Sequence, residues 1–358
     1  MNTQIARTDT EEAIEQAVKL AVAELKSGNT VALPTETVYG LAADAFNAEA
    51  VAKIYTAKER PNFDPLIVHI SSQKDLREVA KVPEEIRKTV RTLTELFWPG
   101  PLTLILPKDE KVPDIVSAGL PTVGVRCSQH EIFSEIIESL GRPLAAPSAN
   151  RFGRISPTSA DAVMSELDGR IPLIVDGGAC ARGLESTIVR VMPPGKKSRG
   201  KATIQILRAG PISADDMKRY AKIEMVANDA VSENAPEAPG LLENHYAPMT
   251  PLRLLEKPQD FKPDPDKRYA LLSYRGKKKD GYLNLHDWEE TEILSPGSGK
   301  TTEAALRFFF LLRKLDESGV DEIIAEPVSE FGVGAAIMER LRRASRKEPG
   351  FRSQDSEL

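Results

Sequence analysis

Two cations separated by one residue, Lys58 and Arg60, leave a helical run (Ala48 to Ala57) and lead into Pro61, with the strand-like Leu66-Ile67-Val68-His69 behind them. Two arginines fall at comparable places: Arg126 closes Thr122-Val123-Gly124-Val125, and Arg208 follows the run Thr203 to Leu207. Each alone reads as a solvated or snorkelling charge. Four at strand ends or helix exits point instead to a shared crevice that would take a phosphate or a carboxylate. Hydroxyls accompany them at Thr35, Thr37, Thr122, Ser148, Ser156 and Ser186, and any single one taken alone reads better as a cap or turn residue. His69 at a strand end is more often a packed core residue than a ligand contact, and His245-Tyr246 fits either a lid over a ligand or a docking contact between domains.

The missing patterns narrow the chemistry. There is no GxxxxGK[ST] loop and no GxGxxG fingerprint, which disfavours a conventional P-loop or Rossmann nucleotide site, and no serine stands in a GxSxG context. Two distant cysteines, Cys127 and Cys180, make neither a disulfide framework nor a zinc module, and the four histidines, His69, His130, His245 and His286, are too few for a His-rich metal centre. No metal is expected from protein side chains; Mg²⁺ would arrive with a nucleotide. A formal net charge of −5 speaks against a chain-wide nucleic-acid footprint. The N-terminal stretch lacks an apolar signal core and no run approaches the roughly 20 apolar residues that span a bilayer. The expected location is cytoplasmic.

These groups need a frame, and the periodicity supplies one. Helices are expected at Thr10 to Lys26, Asp75 to Ala80, Pro83 to Phe97, His130 to Leu140, Ser159 through Met164 and Ser213 into Ala221. Strands are expected at Val31 to Leu33, Leu66 to His69, Leu102 to Leu106, Thr122 to Arg126, Pro143 to Ala146, Ile171 to Val175, Glu185 to Arg190 and Thr203 to Leu207. Pro34 stops the first strand, and Thr35, Glu36, Thr37 and Tyr39 form a polar strand-end loop before a turn at Gly40. Short joins between alternating elements predict a mixed α/β sheet over residues 1–225. The Pro-, Asn- and Glu-rich stretch 226–250 reads as a linker. A smaller α/β domain follows at 251–345, with strands Arg268 to Tyr274 and Glu322 to Ala325 and helices Thr302 to Ser318 and Gly334 to Ser345, then a charged flexible tail at 346–358.

The segments PTETVYGLAADA, Lys58-Glu59-Arg60-Pro61 with PLIVHI, FWPGPLTLIL, TVGVRC, LAAPSANRFGRISPTSA, GLESTIV and ILRAGPI stand in the order and spacing of one family. The chain from about Ala13 to Ile212 resembles the YrdC-like threonylcarbamoyl-AMP synthases. HYAP and GVGAAIMERLRRAS resemble the long, two-domain form. One departure is that Glu59 replaces the glycine of the usual Lys-Gly-Arg motif. The resemblance implies a YrdC-like twisted mixed sheet with flanking helices, plus a smaller Rossmann-like α/β C-terminal domain.

It also implies synthesis of threonylcarbamoyl-adenylate and pyrophosphate from L-threonine, bicarbonate and ATP. The product would pass to a tRNA threonylcarbamoyl transferase for threonylcarbamoyl-adenosine in tRNA. By the same resemblance, Lys58, Arg60, Asn62, Thr122, Ser148, Asn150, Ser156, Arg208 and Tyr246 would hold ATP, with Lys58 and Arg60 closest to the chemistry. Thr35, His69, Arg126, Ala146 (by backbone) and Ser186 would lie near threonine, and Asn244-His245-Tyr246 would form a lid. An RNA-binding or nucleotide-sensing module of the same fold is the alternative, favoured only by the basic insert Lys196-Lys197-Ser198-Arg199-Gly200-Lys201. Related carbamoyl-transferring hydrogenase maturation proteins carry cysteine-rich zinc modules that two cysteines cannot build.

Overall fold

The computed structural model describes residues 2–195, 202–226 and 246–345. It opens with a strand the periodicity does not signal, β1 (Gln4–Arg7), which has too few apolar residues to read as a core strand and forms by pairing in parallel along residues 173–176. The hydroxyl of Thr10 then accepts the Ala13 N–H (3.1 Å) and starts α1 (Glu11–Lys26), which buries Ala17, Val18, Ala21, Val22 and Leu25 on one face. β2 (Val31–Leu33) stops at Pro34 as expected. Gly40, however, opens β3 (Gly40–Asp44), antiparallel to β2, so residues 34–39 are the connecting loop. A Cβ on Gly40 would stand 3.3 Å from Ala146 Cβ, and the close approach of that neighbouring segment, rather than a turn, is why glycine sits there.

α2 (Ala48–Lys58) is capped by Asn47, whose Oδ1 accepts from the N–H groups of Glu49 and Ala50. At its far end Glu59 takes a left-handed conformation (φ 55°, ψ 36°), and the Arg60 N–H reaches back to the Tyr55 carbonyl (3.0 Å). This turn aims Lys58 and Arg60, and it is the place where the resembling family carries glycine. Left-handed geometry costs a Cβ-bearing residue roughly 1–2 kcal/mol. Glu59→Gly loses an exposed pair with Arg170 (2.6 Å) worth about 0–1 kcal/mol and some unfolded-state entropy. The expected net is a gain of about 0.5 kcal/mol in urea unfolding, and a loss would contradict this account of the cap.

The first half continues through β4 (Ile67–Ile70), α3 (Leu76–Val79), α4 (Glu84–Phe97), β5 (Leu102–Pro107), α5 (Asp114–Ser117), β6 (Thr122–Cys127), α6 (Glu131–Leu140), β7 (Leu144–Ala145) and α7 (Ala160–Leu167). β8 (Leu173–Asp176), β9 (Thr187–Met192), β10 (Thr203–Arg208), α8 (Ala214–Met217) and β11 (Lys222–Met225) complete it. The helix expected over Ser213 to Ala221 is thus cut short, and its continuation turns into the edge strand β11. The strands form one mixed eleven-stranded sheet, ordered β1-β8-β2-β3-β7-β4-β6-β5-β9-β10-β11. β4 and β6 run parallel with His69 opposite Arg126, which fixes these two residues as sheet neighbours.

The second half is β12 (Leu252–Leu254), β13 (Tyr269–Ser273), β14 (Glu290–Ile293), α9 (Thr301–Asp316), β15 (Glu322–Ala325) and α10 (Gly334–Ala344). Its four-stranded sheet, ordered β12-β15-β13-β14, is parallel throughout, as a Rossmann-like layer requires. β12 and β14 escaped the sequence reading because both are short edge strands with half-polar faces. The two halves share a core in which Val38, Ile155 and Leu184 pack with Tyr246, Phe308, Phe309 and Leu312. Burying each such large apolar side chain contributes about 1.5–3 kcal/mol, enough to make the seam a firm one. Among the described residues no helix is long and apolar enough to cross a membrane.

Candidate active site

The strand ends converge on one hollow. The loop after β2 brings Thr35, Thr37, Val38 and Tyr39, the turn after α2 brings Arg60, and the paired strands β4 and β6 bring His69 and Arg126. Ala146, Pro147 and Ser148 arrive from the segment after β7, Glu185 and Ser186 from the approach to β9, and Arg208 from the end of β10. Lys58 joins from behind: its Nζ donates to the Ser148 carbonyl (2.5 Å) and to that of Asn150. The unfilled space is about 500 Å³ including its open side, but only about 40 Å³ admits the centre of a water molecule. The walls are held together by their own charges.

Each cation has an internal partner. Arg60 Nη2 pairs with Asp64 Oδ2 (2.9 Å) and donates to the Pro65 carbonyl (2.9 Å), while its Nε donates to the Asp64 carbonyl. Arg126 Nη2 lies 2.6 Å from Glu36 Oε1, and Glu36 Oε2 accepts from the Ser128 hydroxyl (2.6 Å). Arg208 donates through Nε and Nη2 to the Ser186 carbonyl (3.1 and 2.9 Å) and through Nη2 to the Ser186 hydroxyl. Glu185 accepts from the Ser156 hydroxyl on one oxygen and from Arg340 Nε (2.8 Å) on the other.

Burial sets the protonation states. It drives Lys58 well below its ordinary value, with neighbouring Arg60 adding to the effect. His69, its ring tilted 45° to that of Phe133 at 4.9 Å, is pushed down to about 3 by burial and then by Arg126, so it is a neutral imidazole in the working range. Burial alone would raise Glu36, but the charge of Arg126 and the Ser128 hydrogen bond more than offset it and hold the carboxyl below its usual value. Asp64 goes the other way, raised by burial with Arg60 only partly compensating.

Of the residues named from sequence, Thr35, Arg60, His69, Arg126, Ala146, Ser148, Ser186 and Arg208 line the hollow, and Lys58, Asn150 and Ser156 brace its wall. Thr35 also builds its own loop, its hydroxyl donating to the Val38 carbonyl (2.6 Å), and the Asn150 amide ties down the carbonyls of Arg151 and Arg154. Two stand apart. Asn62 is exposed in the turn after Arg60, and Thr122 begins the strand that Arg126 nearly ends, roughly 13 Å away along β6. Tyr246 is 1% exposed, stacked on Phe309 (5.8 Å) with the Arg340 guanidinium 5.1 Å from its ring, which places it in the seam between the halves. His245 and the rest of the expected lid lie outside the described residues, as does the basic insert 196–201.

Glu36 was placed from sequence in the polar strand-end loop but not paired with Arg126, and Asp64, Glu185 and Arg340 were not singled out. Glu36, Asp64 and Glu185 are carboxylates among hydroxyl-rich or apolar neighbours, and such carboxylates, once folded, demand a cationic partner. Arg340 carries no local signal, since it sits among other cations on an ordinary amphipathic helix.

Comparison with known proteins agrees over nearly the whole chain. The family described as telomere recombination matches residues 23–210, and the threonylcarbamoyl-AMP synthase C-terminal domain matches residues 212–346. The threonylcarbamoyl-AMP synthase of Pyrococcus abyssi is 40% identical over 338 residues, 92% of this chain and 94% of that protein. This chain belongs to the threonylcarbamoyl-AMP synthase family. The Bacillus subtilis member is 38% identical, covering 91% of this chain and 92% of its own. The crystal structure of P. abyssi Sua5 complexed with L-threonine superposes with a TM-score of 0.81 at 35% identity, covering 96% of this chain and 98% of that one. The match therefore extends over both sheets.

Proposed function

We propose that this chain joins L-threonine, bicarbonate and ATP into threonylcarbamoyl-AMP, releasing pyrophosphate and water. The observation that carries the reading is the likeness, over 96% of the chain, to a family structure complexed with L-threonine. Arg126 takes the threonine carboxylate in forked geometry, with Thr35, His69, Ser186 and the Ala146 backbone around the rest of the amino acid. Lys58, Arg60 and Arg208 face the triphosphate, with Ser148, Asn150 and Ser156 shaping that end of the hollow. Asn62 and Thr122 stand outside the hollow and are given no substrate contact, and Tyr246 acts through the seam.

The chemistry suits such a set. The carbamate oxygen forms a bond to the α-phosphorus as the bond to the β-phosphate oxygen breaks, and no side chain needs to act as nucleophile. What the step requires is alignment and positive charge. Among the described residues no group of three His, Cys, Asp or Glu side chains is placed to hold a metal, and Glu36, Asp64 and Glu185 are already matched with arginines. Mg²⁺ would ride on the triphosphate, where it neutralises phosphate charge. The product, an activated carbamate, is fit for transfer to an amine, and its delivery to tRNA belongs to the proposal. The test is pyrophosphate release measured with each substrate left out in turn. Release that needs all three, with the adenylate seen by mass spectrometry, supports the reaction; release from ATP alone would sink it.

A further inference from the structure

Glu185 is a carboxylate on the wall of the cleft with its chain neighbours and its counter-charge in different domains. It is 5% exposed, and its Oε2 accepts from Nε of Arg340, a side chain of α10 that is itself fully buried. The same guanidinium donates through Nη1 to the carbonyl of Ala209 (3.0 Å), the residue after Arg208, and to its own helix at Ala336 (2.9 Å). The residue before Arg340, Glu339, accepts the Ala209 N–H through Oε2 (3.3 Å). α10 thus grips two strand-end segments, Glu185-Ser186 and Arg208-Ala209, and both line the hollow.

The charges around Glu185 show what this grip does. Arg340 faces it from α10, Arg208 from the end of β10 and the Ser156 hydroxyl from the loop before α7, while the Tyr246 ring lies beside the group and Glu339 and Arg343 complete the surround from α10. Arg208 hydrogen-bonds Ser186, and its charge also acts on the Glu185 carboxylate. Without Arg340, that carboxylate's remaining partner of opposite charge would be Arg208, the cation proposed to meet the triphosphate. We infer that Arg340 is a positioning residue for the nucleotide end of the cleft: the second domain holds Glu185 and the Ala209 carbonyl, and so fixes where Arg208 stands. The inference rests on the reaction proposed above and adds that the catalytic site is incomplete without α10.

The test compares Arg340→Met, Arg340→Lys, Glu185→Gln and the double variant Arg340→Met/Glu185→Gln in the full chain, following pyrophosphate release. Arg340→Met should raise the KM for ATP at least about tenfold while the KM for threonine stays within about twofold. Its defect should be greatest near neutral pH and shrink on the acid side, where Glu185 takes up a proton and no longer draws Arg208. Burial raises the Glu185 carboxyl, and with Arg340 gone the largest opposing charge is gone too. Arg340→Lys should restore the activity near neutral pH. The double variant should return the KM for ATP to within about threefold of Glu185→Gln alone, because no carboxylate then competes for Arg208.

A double variant whose defects multiply would overturn the inference. So would an Arg340→Met protein with unaltered ATP KM and pH profile, or one whose two KM values rise together as its melting temperature falls, since that would be lost docking. Full three-substrate activity in the unaltered chain separates any such failure from failure of the reaction itself.

Discussion

Arg126→Ala is expected to lose threonine binding and fold stability together, and the two losses should be separable. If Arg126 forks onto the threonine carboxylate, its removal raises the threonine KM at least about tenfold, about 1.4 kcal/mol, with a smaller change for ATP. The stability loss comes from Glu36. Both partners are almost wholly buried, 2.6 Å apart, and taking one away leaves an uncompensated charge that costs about 3–5 kcal/mol. The double variant Arg126→Ala/Glu36→Gln should recover most of the stability and none of the threonine affinity. Equal recovery of both would mean that Arg126 serves only Glu36.

The pH dependence gives an independent sign. In the unaltered chain Glu36 is held below its ordinary 4.5, so its contribution is present above that value and is lost as pH falls through the depressed one. With Arg126 removed, burial pushes the same carboxyl up. The folded state then binds the proton more tightly than the unfolded chain does, and stability falls as pH rises past the ordinary value. Urea unfolding at about pH 4 and pH 7 should therefore show opposite slopes in the two proteins.

The same pair shows how far the sequence could be read. That Arg126 ends a strand follows from the β run before it, and that His69 is its neighbour needs only two parallel strands in register. That Arg126 is already occupied does not follow, because Glu36 lies 90 residues earlier in a loop whose path depends on where Gly40 goes. Gly40 was expected to turn the chain; it instead lets the segment at Ala146 approach, a long-range reason invisible to local pattern. Arg340 is the extreme case. Its partner is 155 residues away in the other domain, so helical periodicity identified its helix but not its role. Edge strands such as β1 and β12 were missed on similar grounds, since their stability comes from the neighbour they pair with rather than from their own residues. By contrast α1, α4 and β5 were legible because capping, acidic first turns and apolar spacing agree locally.

Lys58→Met is expected to cripple adenylate formation while leaving the empty protein about as stable. The ammonium is 1% exposed, and its two hydrogen bonds go to backbone carbonyls rather than to a carboxylate. Dehydrating a cation costs several kcal/mol, whereas two hydrogen bonds from a charged donor contribute about 1.5–3 kcal/mol each, so the apolar stem of Met should roughly break even. On the proposed reaction, a phosphate oxygen of ATP offsets that cost. Losing the charge should lower kcat/KM for ATP by at least about a hundredfold, near 2.7 kcal/mol. The sign of the stability curve checks the assignment. Burial holds Lys58 well below its ordinary 10.5, so the unfolded chain binds more protons in the interval between, and the unaltered protein gains stability as pH rises through that interval. The Met variant should lack that gain. Retained activity would remove Lys58 from the reaction, and a stability loss above about 3 kcal/mol would make it a structural residue whose carbonyl bonds outweigh its dehydration.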